Sequence, residues 1–259
     1  MDLNISDKVA IITGGSRGIG RAIALQLAKN GCHIALCART GSNLEETVAK
    51  LQQLGIKAHG FTADVQKPEQ IESFVTSSFE ALGQIDFLIA NTGGVFGKGL
   101  LESTPEDWQK TFELNLFHSV NAIRACVPYM QKRGRGSILL VASISGSKPA
   151  PKAQYGCAKA AQIYLASSLA WELREYCIRV NAISPGSTIF PGGGWDLFRE
   201  SNPELFKEFE SRDFPWGRLA TAEEIAEVAA FILSDRAHWI NGANIPVDGA
   251  QGRPSALGY

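Results

Sequence analysis

Short apolar runs alternate with amphipathic segments along almost the whole chain. The apolar runs have the length and continuous hydrophobicity of buried β-strands, and they cover 9–12, 33–38, 57–62, 85–90, 136–142, 178–184 and 244–247. The intervening segments place apolar residues at helical spacing, and they cover 18–30, 43–54, 68–82, 105–130, 153–175 and 222–233. Buried strands that alternate with helices are typical of a parallel sheet covered on both faces. The pattern therefore predicts a doubly wound α/β fold with about seven parallel strands.

The stretch 186–217 does not follow this alternation. It contains three consecutive glycines at 192–194. These are followed by the aromatic residues Trp195, Phe198, Phe206, Phe209, Phe214 and Trp216. Long insertions are often binding loops or lids, and the alternative is a helix packed on the core. The triple glycine favours a mobile hinge, so we expect a substrate-binding loop or lid within one domain that spans residues 1–259.

Amino-acid composition and charge limit the kinds of molecule that the protein is expected to bind. Of 259 residues, 45% are hydrophobic and 20% charged, and 25 basic against 26 acidic side chains give a net charge of -1. This balance indicates neither a nucleic-acid nor a membrane-surface partner. The five cysteines form no C-x-x-C pair and the four histidines lie far apart, so we expect reduced thiols in an intracellular protein and no metal site. Without an apolar leader or a membrane-spanning run, the sequence predicts a cytoplasmic location.

A glycine-rich turn joins the first predicted strand to the first predicted helix. Its sequence is Thr13-Gly14-Gly15-Ser16-Arg17-Gly18-Ile19-Gly20. Gly14, Gly18 and Gly20 suit a tight turn, close approach of the backbone to a pyrophosphate and close packing of helix on strand. The phosphates would lie at the helix N-terminus, where free N–H groups favour anions. Between a strand and a helix, the motif predicts a Rossmann-type dinucleotide site rather than a plain tight turn, with contributions from the turn residues Ser16 to Ile19.

A tyrosine and a lysine lie four positions apart in the predicted helix 153–175. Residues with this spacing lie on one face of a helix, so Tyr155 and Lys159 can share one site. The ammonium favours the phenolate and lowers a phenol pKa that is about 10 when unperturbed. The pair therefore supplies a proton donor or acceptor near neutral pH. Such pairs are common on helix surfaces, and the glycine turn together with Ser143 upstream gives this one its functional meaning.

These motifs together resemble the short-chain dehydrogenase/reductase family over nearly the whole chain. The matching segments are Thr13 to Gly20, Asp64-Val65, Asn91-Thr92-Gly93, Asn115, Ser143, Tyr155 with Lys159, and Asn181 to Gly186. The glycine spacing is T-G-x-x-x-G-x-G rather than G-x-G-x-x-G. The pattern is similar to bacterial 3-oxoacyl-thioester reductases. The same motifs do not sharply separate this subgroup from sugar, steroid and general alcohol dehydrogenases.

The resemblance implies a role for each of four catalytic residues. Tyr155 would be the general acid in carbonyl reduction and the base in alcohol oxidation, and Lys159 would lower its pKa and hold the nicotinamide ribose. Ser143 would hydrogen-bond the substrate carbonyl and stabilise the developing oxyanion. Asn115 would support a proton relay through water to Lys159. Taken separately, Ser143 and Asn115 also fit an ordinary strand-end serine and a structural helix asparagine.

The resemblance further implies cofactor contacts at the ends of the predicted strands. These are Asp64 and Val65 at the adenine, Asn91 and Gly93 at the ribose, Pro185 and Gly186 at the nicotinamide, and Thr188 at its carboxamide. The chain departs from the family pattern in three ways. Thr92 stands where the family has alanine, the interval from Ser143 to Tyr155 is one residue shorter than is common, and the family threonine often comes slightly later than Thr188. Because the loop after Ser143 is altered, Ser145 is an alternative hydrogen-bond donor.

The charge at the end of the second predicted strand indicates which nicotinamide cofactor the protein prefers. An NAD site of this type usually has an acid there, for the ribose 2′-hydroxyl. Here the strand ends Ala38-Arg39, and Arg17 in the glycine turn is a second cation. Two guanidiniums suit a 2′-phosphate through charge-assisted hydrogen bonds, although surface arginines are often merely solvated. The sequence therefore favours NADP(H) over NAD(H).

The sequence as a whole predicts an NADPH-dependent enzyme that reduces a ketone, including a 3-oxoacyl thioester among the candidate substrates. An alcohol, hydroxysteroid or sugar dehydrogenase is the alternative within the family, and a non-catalytic NADP-binding sensor is the alternative from another class. A small-molecule carbonyl or alcohol is the expected partner. By resemblance, the long helices 105–130 and 153–175 are expected to build a homotetramer or homodimer, with Trp171 as an interface or core residue.

Overall fold

The computed structural model describes residues 2–253. A parallel sheet of seven strands has the order β3-β2-β1-β4-β5-β6-β9. Its strands are β1 Val9–Thr13, β2 His33–Ala38, β3 Ala58–Thr62, β4 Phe87–Ala90, β5 Gly136–Val141, β6 Ile178–Pro185 and β9 Asn244–Val247. Every neighbouring pair runs parallel. The predicted doubly wound α/β fold is therefore confirmed. Residues 254–259 lie outside the described part of the chain.

Helices cover both faces of this sheet. They are α1 Gly18–Lys29, α2 Gly41–Gln53, α3 Pro68–Leu82, α4 Pro105–Phe112, α5 His118–Arg133, α6 Ala153–Glu172, α7 Gly194–Ser201, α8 Pro203–Asp213 and α9 Ala222–Leu233. Alternate residues of a strand point to opposite faces. On β1, Ala10 and Ile12 accordingly join the core beneath α1 and α9, while Val9 and Ile11 join the core beneath α3 and α5. Two apolar layers thus fix the sheet between its helices.

The order of the strands reverses direction at β1. The chain proceeds from β1 to β2 and β3 on one side, and then returns to β4 on the other side of β1. Crossover connections leave this point in opposite directions, so a crevice opens beyond the carboxyl ends of β1 and β4. The glycine turn follows β1 and Asn91 follows β4. Sheet topology therefore places both motifs at one edge.

Two predicted segments differ from the structure. The helix expected over 105–130 is interrupted by a π-helical turn at Glu113–Phe117, between α4 and α5. The irregular stretch 186–217 contains α7, α8 and a short strand, β7 Thr188–Ile189, which pairs with β8 Ala220–Thr221. A single π turn has no distinct sequence signal, which is why the sequence indicated one unbroken helix.

Three further expectations concern the cysteines, membrane-spanning helices and metal sites. All five cysteines are free; Cys32, Cys37 and Cys126 are buried, while Cys157 and Cys177 are exposed. Between residues 2 and 253, the helices are all too short or too polar to cross a bilayer. The described residues also contain no cluster of histidine, cysteine or carboxylate side chains able to hold a metal ion.

Candidate functional site

The glycine turn after β1 has backbone conformations that favour glycine. Gly14 has a φ of 67° and Gly18 a φ of 54°, values that side chains with a Cβ rarely adopt. A Cβ on Gly20 would collide with the Gly14 carbonyl oxygen, so helix α1 can approach the turn only with glycine there. Arg17 is the N-cap of α1 and makes no side-chain capping hydrogen bond. The first N–H groups of α1 therefore face the crevice as anion ligands.

Asn91 fastens the end of β4 to this turn. Its Nδ2 donates hydrogen bonds to the carbonyl oxygens of Thr13 and Gly14, both at 3.0 Å, and its backbone N–H donates to Thr13 Oγ1 at 3.0 Å. The adjacent Thr92 has a buried hydroxyl oxygen without a hydrogen-bond partner among the described residues. Because a buried polar atom without a partner is unfavourable, Thr92 Oγ1 is an atom that a ligand in the crevice would satisfy.

A cleft of about 780 Å³ runs along this edge of the sheet. Most of the predicted cofactor residues line it, namely Gly14, Ser16, Arg17, Gly18, Ile19, Arg39, Val65, Asn91, Gly93, Tyr155, Lys159, Pro185, Gly186 and Thr188. Gly20 and Asp64 do not line it. Gly20 packs behind the turn, and the Asp64 carboxylate accepts a hydrogen bond from the Gln66 N–H at 3.1 Å.

Two guanidiniums lie at one end of the cleft. Arg39, after β2, and Arg17 both line it and are both exposed. Within residues 2–253 neither forms an ion pair. Thr40 and Asn43 line the same end and add neutral hydrogen-bonding groups. This end of the cleft can therefore bind a group with two negative charges.

Tyr155 and Lys159 are one turn apart on α6. Lys159 Nζ lies 5.6 Å from the centroid of the Tyr155 ring, and its side chain is only 2% exposed. Nζ donates hydrogen bonds to the Val141 carbonyl oxygen and to Gln162 Oε1, both at 2.8 Å. Burial disfavours the charged ammonium and lowers the pKa of Lys159 to about 7. The amine therefore titrates near neutral pH beside the phenol.

Ser143 follows β5 and faces the same cleft. Its Oγ accepts a hydrogen bond from the Ser145 N–H at 3.1 Å, an arrangement in which the hydroxyl keeps its proton as a donor. A Cβ on Gly146 would lie 2.8 Å from the backbone of Lys159, so glycine lets this turn pack directly on α6. Ser143 lines both the large cleft and a smaller cavity, whereas Ser145 lines the smaller one alone. The structure thus favours Ser143 over Ser145.

Asn115 lies in the π-helical turn and is fully buried. Its Nδ2 donates to the carbonyl oxygens of Gly94 at 2.6 Å and Thr111 at 2.7 Å, and its Oδ1 accepts from the Gly94 N–H at 3.2 Å. A Cβ on Gly93 would lie 2.8 Å from Asn115 Oδ1 and 3.1 Å from Lys159 Nζ. Gly93, Asn115 and Lys159 therefore converge on one point; π turns of this kind are frequent at functional sites.

A second cavity of about 260 Å³ adjoins the cleft. Tyr155, Ser143 and Trp195 line both spaces. Val95, Ile144, Ala150 and Pro151 contribute apolar wall to the smaller one. Ser145, Lys152 and Ser187 add polar groups to it. Tyr155 and Ser143 thus lie at the junction between an elongated cleft and a smaller cavity with a partly apolar wall.

The aromatic residues of 186–217 pack mainly on one another. Phe206, Phe209 and Phe214 are buried in a separate small cluster. Trp195 stacks on Phe209 with ring centroids 4.8 Å apart, while Trp216 is exposed. The stretch therefore carries its own apolar core, and Trp195 is its aromatic contribution to the cavity wall.

Two contributors to the site carry no motif that sequence inspection could detect. Phe190 packs against the glycine turn, since a Cβ on Gly18 would lie 2.7 Å from its ring. Gln251, fully buried near the end of the described chain, accepts a hydrogen bond from the Ser187 N–H at 2.7 Å and donates to Ser187 Oγ at 3.0 Å. Gln251 thereby braces the segment that follows Gly186. Only the fold brings these residues to the cleft.

The depressed pKa of Lys159 predicts a pH-dependent stability. Its ordinary value is 10.5 and its value in the fold is about 7, so between these pH values the unfolded chain binds more protons than the folded one. The contribution of Lys159 to the free energy of unfolding therefore rises with pH across this window, by at most about 1.4 kcal/mol per pH unit for one proton. The buried thiols of Cys32, Cys37 and Cys126, whose pKa values burial raises from 9.0, contribute with the opposite sign above about pH 9. We expect Lys159→Met to remove the lysine contribution from the pH dependence seen in denaturant unfolding curves. Lys132→Met, at an exposed lysine, should keep it, and equal slopes in the wild type and Lys159→Met would contradict the prediction.

The chain is similar to known proteins in both sequence and fold. The chain matches the short chain dehydrogenase family model over residues 8–191. It is 35% identical over 246 residues to isoepoxydon dehydrogenase patN of Penicillium expansum, with 92% of each chain covered. L-sorbose reductase from Gluconobacter frateurii, complexed with NADPH and L-sorbose, has a TM-score of 0.90 at 35% identity and covers 97% of this chain and 98% of its own. A 7α-hydroxysteroid dehydrogenase complexed with NADH and 7-oxo-glycochenodeoxycholic acid has a TM-score of 0.91 at 28% identity, with 98% of each chain covered.

Proposed function

The chain belongs to the short-chain dehydrogenase family, and from this premise we propose that it is an NADPH-dependent oxidoreductase that reduces a ketone to a secondary alcohol. One observation carries the proposal: Tyr155 and Ser143 lie at the junction of the cleft and the smaller cavity. A proton donor and a hydrogen-bond donor at this point can act on one carbonyl oxygen. The reverse oxidation uses the same residues, so the direction depends on the supply of cofactor.

The residues of the cleft fit a dinucleotide. The free N–H groups at the start of α1 and the glycine turn suit the pyrophosphate, and the unpartnered Thr92 hydroxyl lies in the cleft wall. When bound, a nicotinamide cofactor supplies the hydride. Pro185, Gly186 and Thr188 would border its ring, and Val65 would lie toward the adenine. Asp64, which precedes Val65 but does not line the cleft, is proposed to contact the adenine as well.

The preference for NADP(H) is supported by the charge at the other end of the cleft. The 2′-phosphate that distinguishes NADP from NAD carries negative charge, and guanidiniums bind such groups through charge-assisted hydrogen bonds. Arg39 and Arg17 both line the cleft where the second strand ends. The similar structures do not discriminate, since one was solved with NADPH and another with NADH.

The proposed mechanism assigns one task to each catalytic side chain. Tyr155 donates its phenolic proton to the substrate oxygen, and Ser143 donates a hydrogen bond to the same oxygen and stabilises its developing charge. The Lys159 ammonium stabilises the phenolate that Tyr155 becomes. Asn115 holds the loop after β4 against the helix, and it is proposed to support a relay through water that returns a proton toward Lys159.

The substrate is proposed to be compact and mainly apolar around its carbonyl group. The smaller cavity has a volume of about 260 Å³ and walls from Val95, Ile144, Ala150 and Pro151. A short 3-oxoacyl thioester, with its carrier portion outside, and a cyclic ketone are both compatible with this space. The segment 186–217, which supplies Trp195 to the wall, is proposed as the part that closes over the substrate.

The proposal is tested by measuring NADPH oxidation by the purified protein. A short 3-oxoacyl thioester, a cyclic ketone and a ketose serve as probes, and each is assayed with NADPH and with NADH. We expect turnover of at least one ketone, with a higher kcat/KM for NADPH. A protein that binds NADPH but reduces none of the probes would instead support the non-catalytic sensor.

Self-association remains a prediction that one surface supports. Tyr164 and Trp171 lie seven positions apart on α6, and their side chains are 75% and 71% exposed. Phe117, in the π-helical turn, is also half exposed. Large apolar side chains exposed on neighbouring helices are typical of surfaces that bury on association. A cytoplasmic location also remains a prediction.

A further inference from the structure

Lys159 is hydrogen-bonded to a side chain outside the four catalytic residues. Gln162, one turn further along α6, is fully buried, and its Oε1 accepts from Lys159 Nζ at 2.8 Å. Gln162 Nε2 donates to Ser119 Oγ at 2.8 Å. Ser119 Oγ in turn donates to the Asn115 carbonyl oxygen at 2.9 Å. Three consecutive hydrogen bonds therefore connect the lysine amine to the backbone of Asn115.

The chemistry of the groups fixes the direction of these bonds. An ammonium has three N–H donors and no acceptor, so a charged Lys159 requires the amide oxygen of Gln162. The amide nitrogen must then face Ser119, whose hydroxyl donates its own proton to the Asn115 carbonyl oxygen at 2.9 Å rather than to His118 Nε2, which lies 3.5 Å away. Each link uses a donor and an acceptor once. The network is thus compatible with a charged lysine in one orientation only.

We propose that Gln162 is a positioning residue that holds the amine of Lys159 in place and raises the proton affinity of this amine, and so sets the pH at which Tyr155 ionises. The inference rests on the roles of Tyr155 and Lys159 in the proposed function. Gln162 touches neither substrate nor cofactor in this scheme. It acts through Lys159, and Ser119 acts through Gln162.

The groups around Lys159 explain why the amide oxygen of Gln162 affects the protonation of the lysine. Among the described residues, the titratable groups that face it are Tyr155 on its own helix and His118 on α5, while Val141 of β5 and Gly93 present backbone. His118 is fully buried, and burial lowers its pKa to about 3, so it is neutral near pH 7. Burial disfavours the charged form of Lys159. The hydrogen bonds to the Gln162 and Val141 oxygens favour the charged form and partly offset burial. A lysine that loses its proton no longer stabilises a phenolate, so removal of Gln162 Oε1 should raise the pKa of Tyr155.

Ionisation of Tyr155 can be followed without any substrate. The phenolate absorbs at longer wavelength than the phenol, and the difference titration between a protein and its Tyr155→Phe counterpart isolates this one tyrosine. We expect Gln162→Met, which keeps the volume and removes the acceptor, to raise the titration midpoint of Tyr155 by about one pH unit, a tenfold change in its ionisation constant. An unchanged midpoint would overturn the proposal.

Matched variants separate positioning from packing. Gln154→Met replaces another fully buried glutamine of α6, whose Nε2 donates to the Phe96 carbonyl at 2.9 Å, and it should leave the midpoint unchanged. Ser119→Ala should raise the midpoint less than Gln162→Met does, and Ser119→Thr, which keeps a hydroxyl, should restore it. If circular dichroism shows that Gln162→Met has not folded, the proposal is tested with Ser119→Ala and Ser119→Thr instead. Equal titration midpoints of Tyr155 in Ser119→Ala and the wild type would then overturn the proposal.

NADPH binding and ketone turnover are measured on the same samples. A shifted midpoint in a protein that reduces no ketone would refute the proposed function and support the role of Gln162. Turnover with an unshifted midpoint would support the proposed function and refute the role of Gln162. The two proposals therefore fail separately.

Discussion

Replacement of Tyr155 by phenylalanine is expected to lower kcat for any ketone that the wild type reduces by about 10²- to 10⁴-fold, the usual contribution of a positioned general acid. The reason is local. The phenol lies at the junction of the cleft and the smaller cavity, and phenylalanine fills the same space without a proton to donate. Affinity for NADPH, measured by fluorescence titration, should change little, because the ring and the cleft remain.

The matched control for this variant is Tyr164→Phe. Tyr164 lies on the same helix, but its side chain is 75% exposed, so its kcat should equal that of the wild type. Retention of most of the activity in Tyr155→Phe would show that another group supplies the proton. Loss of NADPH binding together with turnover would instead indicate a structural role for the hydroxyl.

Replacement of Arg39 by aspartate is expected to raise the dissociation constant for NADPH by about 100-fold, because a charge-assisted pairing becomes a repulsion. The dissociation constant for NADH should stay close to that of the wild type or fall, since a carboxylate at the end of β2 suits a ribose 2′-hydroxyl. The exchange therefore tests the preference between the two cofactors rather than binding in general. Both constants can be measured by fluorescence titration at one salt concentration.

An arginine outside the cleft provides the comparison. Arg124 lies on the exposed side of α5, and Arg124→Asp makes the same change in net charge. NADPH affinity should be close to that of the wild type in this variant. Equal NADPH affinity in Arg39→Asp and the wild type would remove the charge argument for NADP(H) and leave Arg39 as a solvated surface residue.

The stretch 186–217 illustrates how composition can mislead. Its aromatic residues and triple glycine indicated a substrate-binding loop or lid, but Phe206, Phe209 and Phe214 bury one another in a small core. Composition cannot distinguish a side chain that faces a ligand from one that faces its neighbour. The contact between Trp195 and the cavity depends on where α7 lies relative to α6, which is a property of the assembled fold.

The sequence by itself determined the features that depend on neighbouring residues. The alternation of strands and helices, the glycine turn and the spacing of Tyr155 and Lys159 follow from periodicity and from backbone conformations that glycine favours. These features were sufficient for the parallel sheet and its nucleotide edge, and the family followed from the same motifs. Each is encoded within one or two turns of the chain.

Only the tertiary structure decided how distant residues meet. The sequence carries no distinct signal for the π-helical turn at Asn115, and Gln251 reaches Ser187 from far along the chain. Gln162 and Ser119, on different helices, complete a buried hydrogen-bond network to Lys159. A buried polar group must find a partner, but its own sequence neighbourhood does not specify which one, because the partner is brought near by the packing of helices on the sheet.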